Sequence, residues 1–361
     1  MPAPLRTWCT VSLSALRSNL RILRAAAPRG IRILAVVKDN AYGHGLVPVA
    51  RALSRAGCEE FGVAFASEGA ELRQAGIREP ILLLGSSLPP EFPVALAHRL
   101  TVTLSSLQEA QELARAAQKA RTTALVQAKL DTGMNRLGAK PAEFQRLVAY
   151  VTRHPRLELT GTFTHLACAG SDSKITRRQL DRSFLLPMTG RRHYANTAAS
   201  LSRHPDPMTH IRPGLGLYGV DPRTGGRAPL RPVLSWRSRI LLVRRVGRGE
   251  TVSYGATFRA PRDLQVAVVA TGYADGLPFS LGNRGHALIR GRLCPILGRV
   301  TMDMTLLDVS RLPRARRGDE VVWIGRSGKK IRTASDLARE AGTIPWEIFT
   351  RIAPRIPRLY S

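Results

Sequence analysis

The chain has 361 residues, 44% of them apolar, and a formal net charge of +29, a size that holds two domains or a barrel with a smaller module. No run reaches the roughly 18 consecutive apolar residues of a bilayer span, and the start MPAPLRTWCTVSL lacks a basic-then-apolar leader, so a cytoplasmic protein with no membrane partner is expected. Seven of the 55 basic residues are lysine and 48 are arginine, spread along the chain without a zinc-finger, RRM or basic-zipper pattern, which argues against specific nucleic-acid binding.

Cys9, Cys58, Cys168 and Cys294 lie far apart, so neither a metal site nor a disulfide framework is expected. In chain order, residues 32–37 form an apolar, β-branched run that reads as a buried strand. Further strands are expected at 61–64, 81–85, 101–104, 123–130, 157–164, 192–194 and 214–218. Amphipathic helices are expected at 46–56, 67–75, 106–119, 141–153 and 175–186. This alternation implies parallel strands with helical crossovers, and about eight repeats suit an N-terminal (β/α)8 TIM-type barrel. A doubly wound open sheet is the alternative, without a GxGxxG turn to support it.

Residues 221–232 (DPRTGGRAPLRP) read as a linker. Strands are then expected at 238–246, 265–271, 286–289, 305–309 and 320–324, with one helix at 333–341. The fold class is therefore α/β: a barrel over 1–225 and a mostly β domain over 226–361, the first strand at 8–13 belonging to either.

In a parallel barrel the working residues stand at the C-terminal strand ends. Lys38 ends the first strand, ahead of the loop DNAYGHG. A desolvated lysine there becomes an amine nucleophile or base; the bland alternative is a lysine reaching out to solvent. Lys129 and Asp131 end the fifth strand before GMNRLG, which contains Arg136. His165 ends the sixth, Asn196 and Thr197 follow the seventh, and Arg212 precedes the last. Each alone reads as structural, Asp131 as an ion-pair partner and His165 as a satisfied core histidine; together they face one mouth.

Seven segments, at 38–45 (KDNAYGHG), 129–138 (KLDTGMNRLG), 195–200 (ANTAAS), 212–219 (RPGLGLYG), 252–258 (VSYGATF), 272–276 (GYADG) and 298–303 (GRVTMD), resemble the alanine racemase family in its order. The resemblance implies an enzyme using pyridoxal 5′-phosphate (PLP) and interconverting L- and D-alanine, with D-alanine supplying peptidoglycan. It implies Lys38 as the cofactor lysine and one base, Tyr254 as the opposite base, and His165 with Arg212 behind that tyrosine. Arg212 is also implied to face the pyridine nitrogen. Tyr42, Asn196, Thr197, Gly214 and Leu215 are implied around the phosphate, with Trp346 nearby where the family usually has tyrosine. Arg136 is implied near the phenolic oxygen of PLP and the substrate carboxylate, beside Lys129, a candidate for carbamylation, with Met302, Asp303 and Tyr273 on the substrate side. His44 reads as structural, and Asn40 as a departure of little consequence. A head-to-tail homodimer with shared sites is implied, and no metal. Trp346 keeps a racemase of broader range (serine, lysine, arginine) open. An amino-acid decarboxylase, a PLP-carrier barrel and a nucleic-acid binder are the remaining rivals.

Overall fold

A computed structural model describes residues 5–184, 190–202 and 207–361, and the chain divides into two compact units. One comprises residues 15–41 and 45–231; the other takes residues up to 14, residues 42–44 and residues 232–361. In chain order the first strands are β1 (Thr7–Val11), β2 (Arg32–Val36), β3 (Glu60–Val63), β4 (Ile81–Ser86), β5 (Thr101–Leu104), β6 (Ala124–Lys129), β7 (Leu157–Phe163), β8 (Arg191–His193) and β9 (His210–Ile211).

Strands β2 to β9 form one sheet in the order β8-β7-β6-β5-β4-β3-β2-β9, every pair parallel. Its two edges meet: Thr209 N–H donates to Arg192 O at 2.8 Å and Arg212 N–H to Ala195 O at 2.7 Å. With no edge left open, the sheet is the expected eight-stranded barrel. The helices lie against it by their apolar stripes. Leu46–Arg55 buries Leu46, Val49, Ala50 and Leu53, a spacing that keeps one face of a 3.6-residue turn. Leu107–Lys119 buries Ala110, Leu113, Ala114 and Ala117, and Ser106 Oγ accepts from Glu109 N–H at 3.1 Å to cap its start.

One expected strand is absent. Residues 214–218 are turns, with Leu217 N–H donating to Gly214 O at 2.9 Å and Tyr218 N–H to Leu215 O at 3.1 Å. The alternation of leucine and glycine in GLGLY imitates a strand, but glycine there serves tight turning. The eighth strand is the short β9, so Arg212 follows it directly instead of preceding it. The helix expected over 175–186 is Ser173–Phe184, and residues 185–186 lie outside the described ones.

The second unit is a β structure built on the 13-residue strand β10 (Leu234–Val246). Its first half alternates strictly, burying Leu234, Trp236, Ser238 and Ile240, the period of a one-sided strand. β1 pairs antiparallel with β10 and parallel with Arg358–Tyr360. Trp236 and Trp323 lie 6.4 Å apart at the centre of this core. Residues 42–44 join the same unit: Arg358 Nε donates to Gly43 O at 3.1 Å and the Tyr360 hydroxyl to His44 O at 3.2 Å. Among the described residues, no helix is long and apolar enough to cross a membrane.

Candidate active site

Lys38 emerges from β2 after the fully buried Val37. Its amine lies 3.2 Å from Asp39 Oδ2. Asp39, Asn40, Ala41 and Tyr42 all have φ of 52–54°, a turn of left-handed helix built without glycine. Such a conformation costs about 1–2 kcal/mol per residue, so its surroundings must over-determine it. Asn40 does much of this. Its Oδ1 accepts from Leu46 N–H at 2.8 Å, its N–H donates to Glu68 Oε1 at 3.1 Å, and its carbonyl accepts from Gly45 N–H at 3.0 Å. The expectation that Asn40 matters little is therefore corrected: it caps the next helix and holds the turn behind Lys38.

Arg212 is 3% exposed and organises the strand ends around it. Nη1 donates to His193 Nδ1. Nη2 reaches Thr164 O at 2.8 Å, His165 Nδ1 at 3.1 Å and Tyr194 O at 3.3 Å. Both histidines accept at Nδ1, so both are neutral tautomers with the proton on Nε2. His193 Nε2–H donates to Gln127 Oε1 at 2.7 Å. Burial first, then the charges of Arg212, Arg136, Lys129 and Lys38, pushes His165 down to about 3; His193 is held well below its ordinary value by burial and Arg212. Arg212 is itself lowered to about 9 by burial, which leaves it charged at neutral pH. Among the described residues no hydrogen bond engages its Nε–H.

Phe163 forms the floor of this cluster. His193 stacks on it at 4.8 Å, with Arg212 at 5.2 Å and the Lys129 amine at 5.4 Å from the ring. Lys129 is pushed down to about 8 by burial, Arg212 and Arg136. Asp131 turns away to its own loop: it accepts from Gly133 N–H at 2.9 Å, Asn135 N–H at 3.1 Å and the Lys140 amine at 2.7 Å. That is the structural ion pair, and it shapes the loop that carries the exposed Arg136.

At the next strand end Thr197 Oγ1 accepts from Gly214 N–H at 3.0 Å and Gly216 N–H at 3.2 Å. Asn196 Oδ1 caps the same short helix through Ala199 N–H at 3.1 Å, and Leu215 is buried beside it. A Cβ on Gly216 would stand 2.7 Å from Thr197 Cγ2, so only glycine keeps these groups converged.

In the second unit Tyr254 is 73% exposed and Met302 54%. Tyr273 N–H donates to Thr301 O at 3.0 Å and Ala274 N–H to Met302 O at 3.0 Å. A Cβ on Gly272 would meet Met302 O at 2.1 Å, so this glycine sets the spacing of the Tyr273 and Met302 segments. Arg355 bridges Asp275 at 2.9 Å and Asp303 at 3.4 Å. Trp346 lies half-buried in Pro345–Arg351. Tyr42 is 8% exposed. His44 Nδ1–H donates to Tyr42 O at 2.9 Å while its ring packs edge-on against Phe349 at 4.9 Å, which fits its structural reading. The sequence reading missed His193 and Gln127. Gln127 lies two residues before Lys129 on β6, hence on the same face, a signal that was there to use.

Comparison with known proteins agrees across the chain. Residues 11–222 match the model of the alanine racemase N-terminal domain and residues 233–360 that of the C-terminal domain. The chain belongs to the alanine racemase family. The alanine racemase of Symbiobacterium thermophilum is 41% identical, over 98% of this chain and 97% of that one. The crystal structure of alanine racemase from the D-cycloserine producer Streptomyces lavendulae superposes with a TM-score of 0.92 at 37% identity, covering 99% of this chain and 98% of that one. That from Bacillus anthracis with bound L-Ala-P gives 0.92 at 32% identity, covering 100% and 96%.

Proposed function

We propose that this protein interconverts L- and D-alanine with PLP, Lys38 and Tyr254 acting as bases on opposite faces of the α-carbon. The observation that carries the reading is Arg212 gripping two neutral histidines at the barrel end where Lys38 emerges. The residues present fit the cofactor: a lysine at a strand end, and the Thr197 hydroxyl, whose oxygen accepts from Gly214 and Gly216 N–H and whose own proton is then aimed away as a donor. Phosphate is recognised by such groups. Lys38 would hold PLP, and Tyr42, Asn196, Thr197, Gly214 and Leu215 its phosphate end. The chemistry PLP supplies when bound is an electron sink for the α-carbon.

The remaining steps fall to the chain itself. The Lys38 amine takes or returns the α-proton on one face. Tyr254 does so on the other, and because a phenol is a poor base at neutral pH it needs help. With its proton on Nε2, His165 can donate a hydrogen bond to the phenolate, and Arg212 holds it in that tautomer. Arg212 keeps its proton, so it would offer the ring nitrogen a hydrogen bond without protonating it, which would favour return of the α-proton over side reactions. Arg136 meets the substrate carboxylate. A carbamate on Lys129 would add negative charge beside it, and an amine lowered to about 8 supplies the neutral form that carbamylation requires. Met302, Asp303 and Tyr273 line the substrate side.

We infer a homodimer in which Tyr254, Tyr273, Met302 and Asp303 complete the site of a second copy. Tyr254, Tyr273, Met302 and Phe279 are each at least 45% exposed, the kind of apolar surface that an interface covers. The product is D-alanine for peptidoglycan in the cytoplasm. Trp346 favours a second reading, a racemase of broader range, because indole offers no hydroxyl acceptor where the family usually has tyrosine.

Purified protein with PLP should racemise L-alanine by chiral chromatography. Mixing K38A with Y254A chains should restore activity through mixed dimers with one intact site. Exchange of subunits without recovery refutes the shared site, and turnover of serine, lysine and arginine at similar rates establishes the broader reading.

A further inference from the structure

The opposite end of the barrel carries a feature that the reaction does not use. A cavity of about 680 Å³ opens at the N-terminal ends of β4 to β8, between Pro80, Thr101, Leu125 and Thr160, within the size range of small-molecule sites. Its ionisable lining is Arg73, Arg78, Arg99, Arg191 and His98 against one carboxylate, Glu158.

These guanidinium groups come from separate segments, and their surroundings differ. Arg73 is fixed by three carbonyls, His98 O at 3.1 Å, Ile77 O at 2.8 Å and Glu79 O at 2.7 Å. Arg191 Nε donates to Glu60 Oε1 at 2.6 Å, and Glu60 also faces His210 Nε2 at 3.1 Å, so its charge is matched from behind. Among the described residues Arg78 and Arg99 have no ion-pair partner. Arg99 stands at φ 49° just past the helix Phe92–Ala97, a position that glycine fills without strain. The chain thus holds an arginine in a costly conformation beside other cations; Arg73 is disfavoured first by burial and, against the opposing Glu79, also by Arg99. A chain of net charge +29 has basic surface almost everywhere; convergence on one concavity is what sets this place apart.

We propose that this cavity binds a small oxyanion of two or more negative charges, bearing phosphate or several carboxylates. Guanidinium forks pair two oxygens at once, and an anion here would pair Arg78 and Arg99, which no carboxylate pairs among the described residues. The proposal is independent of the reaction at the other end.

The test is titration calorimetry of PLP-loaded protein with pyrophosphate and, separately, citrate, against sodium chloride at matched ionic strength. The double variant R78S/R99G should weaken binding at least tenfold while racemisation and folding persist, since a glycine in place of Arg99 relaxes the strained turn. The control R314S/R317S, which removes two exposed arginines of the second unit, should leave binding unchanged. Binding of pyrophosphate alone assigns the cavity to phosphate groups; binding of both assigns it to oxyanions in general. Equal loss in the two double variants, binding untouched by R78S/R99G, or no binding beyond the chloride control overturns the proposal.

Discussion

Replacing Lys129 with methionine should stabilise the cofactor-free protein at neutral pH. Lys129 is 4% exposed, and its amine is lowered from 10.5 to about 8 by burial, then Arg212 and Arg136, with Asp131 and Glu109 opposing. At roughly 1.4 kcal/mol per unit, that drop corresponds to about 3 kcal/mol against the charged form. Below pH 8 folded and unfolded chains both carry the proton, and the penalty is present in full. Between about pH 8 and 10.5 the unfolded chain still holds the proton while the folded one has lost it. Stability therefore rises with pH across that window. Methionine has a similar length and packs well against an aromatic ring, so it removes the charge and leaves Phe163 covered. The lost cation–π contact returns about 1 kcal/mol.

The net expectation is a gain of about 2 kcal/mol at pH 7 that vanishes by pH 10.5. Urea unfolding at pH 7, 9 and 10.5 in carbon-dioxide-free buffer reads it directly. A K129M chain less stable than wild type at pH 7, or equally more stable at every pH, refutes the reasoning. Bicarbonate should stabilise wild type and not K129M, because a carbamate exchanges a positive charge for a negative one between Arg212 and Arg136.

Three further perturbations test other parts of the site. Arg212→Lys keeps a charge but loses the fork that joins His193, His165 and Thr164 O; kcat should fall about 100-fold or more, comparable to loss of a preorganised donor, and an unchanged kcat refutes its role. His165→Asn should slow racemisation without moving the acidic limb of kcat/KM above pH 5, because burial and the neighbouring cations push His165 down to about 3; a limb that moves shows the imidazole titrating there. Gly43→Ala combines a φ of 75° with a Cβ 2.3 Å from Phe349 O, and urea unfolding should show a loss of about 3 kcal/mol, in the range of backbone strain plus a clash.

Much of this was legible in the sequence because a parallel barrel writes itself twice, as alternating strands and helices and as polar residues at strand ends. Lys38, Lys129, His165 and Arg212 all stand where that rule puts them. The failures have physical causes. In GLGLY apolar residues alternate as in a strand, and only backbone hydrogen bonding reveals successive turns. The left-handed stretch from Asp39 to Tyr42 has no glycine to announce it; what permits it is Asn40, through partners at Leu46, Glu68 and Gly45. His193 was read as a strand residue alone, since its importance depends on Gln127 and Arg212, which are 66 and 19 positions away.

The cluster also bears on the proposed second base, Tyr254. Arg212, Arg136, Lys129 and Lys38 each disfavour a proton on His165, although no carboxylate is hydrogen-bonded to that imidazole among the described residues. A field that drives a proton off an imidazole also drives one off a phenol placed against it. At an effective dielectric of 20, a single cation about 5 Å from a phenolate is worth roughly 3 kcal/mol. One such interaction, plus the hydrogen bond from His165 Nε2, would favour the phenolate form that a general base needs. On the proposed reading, the barrel mouth supplies the positive field that Tyr254, 73% exposed on its own turn, lacks.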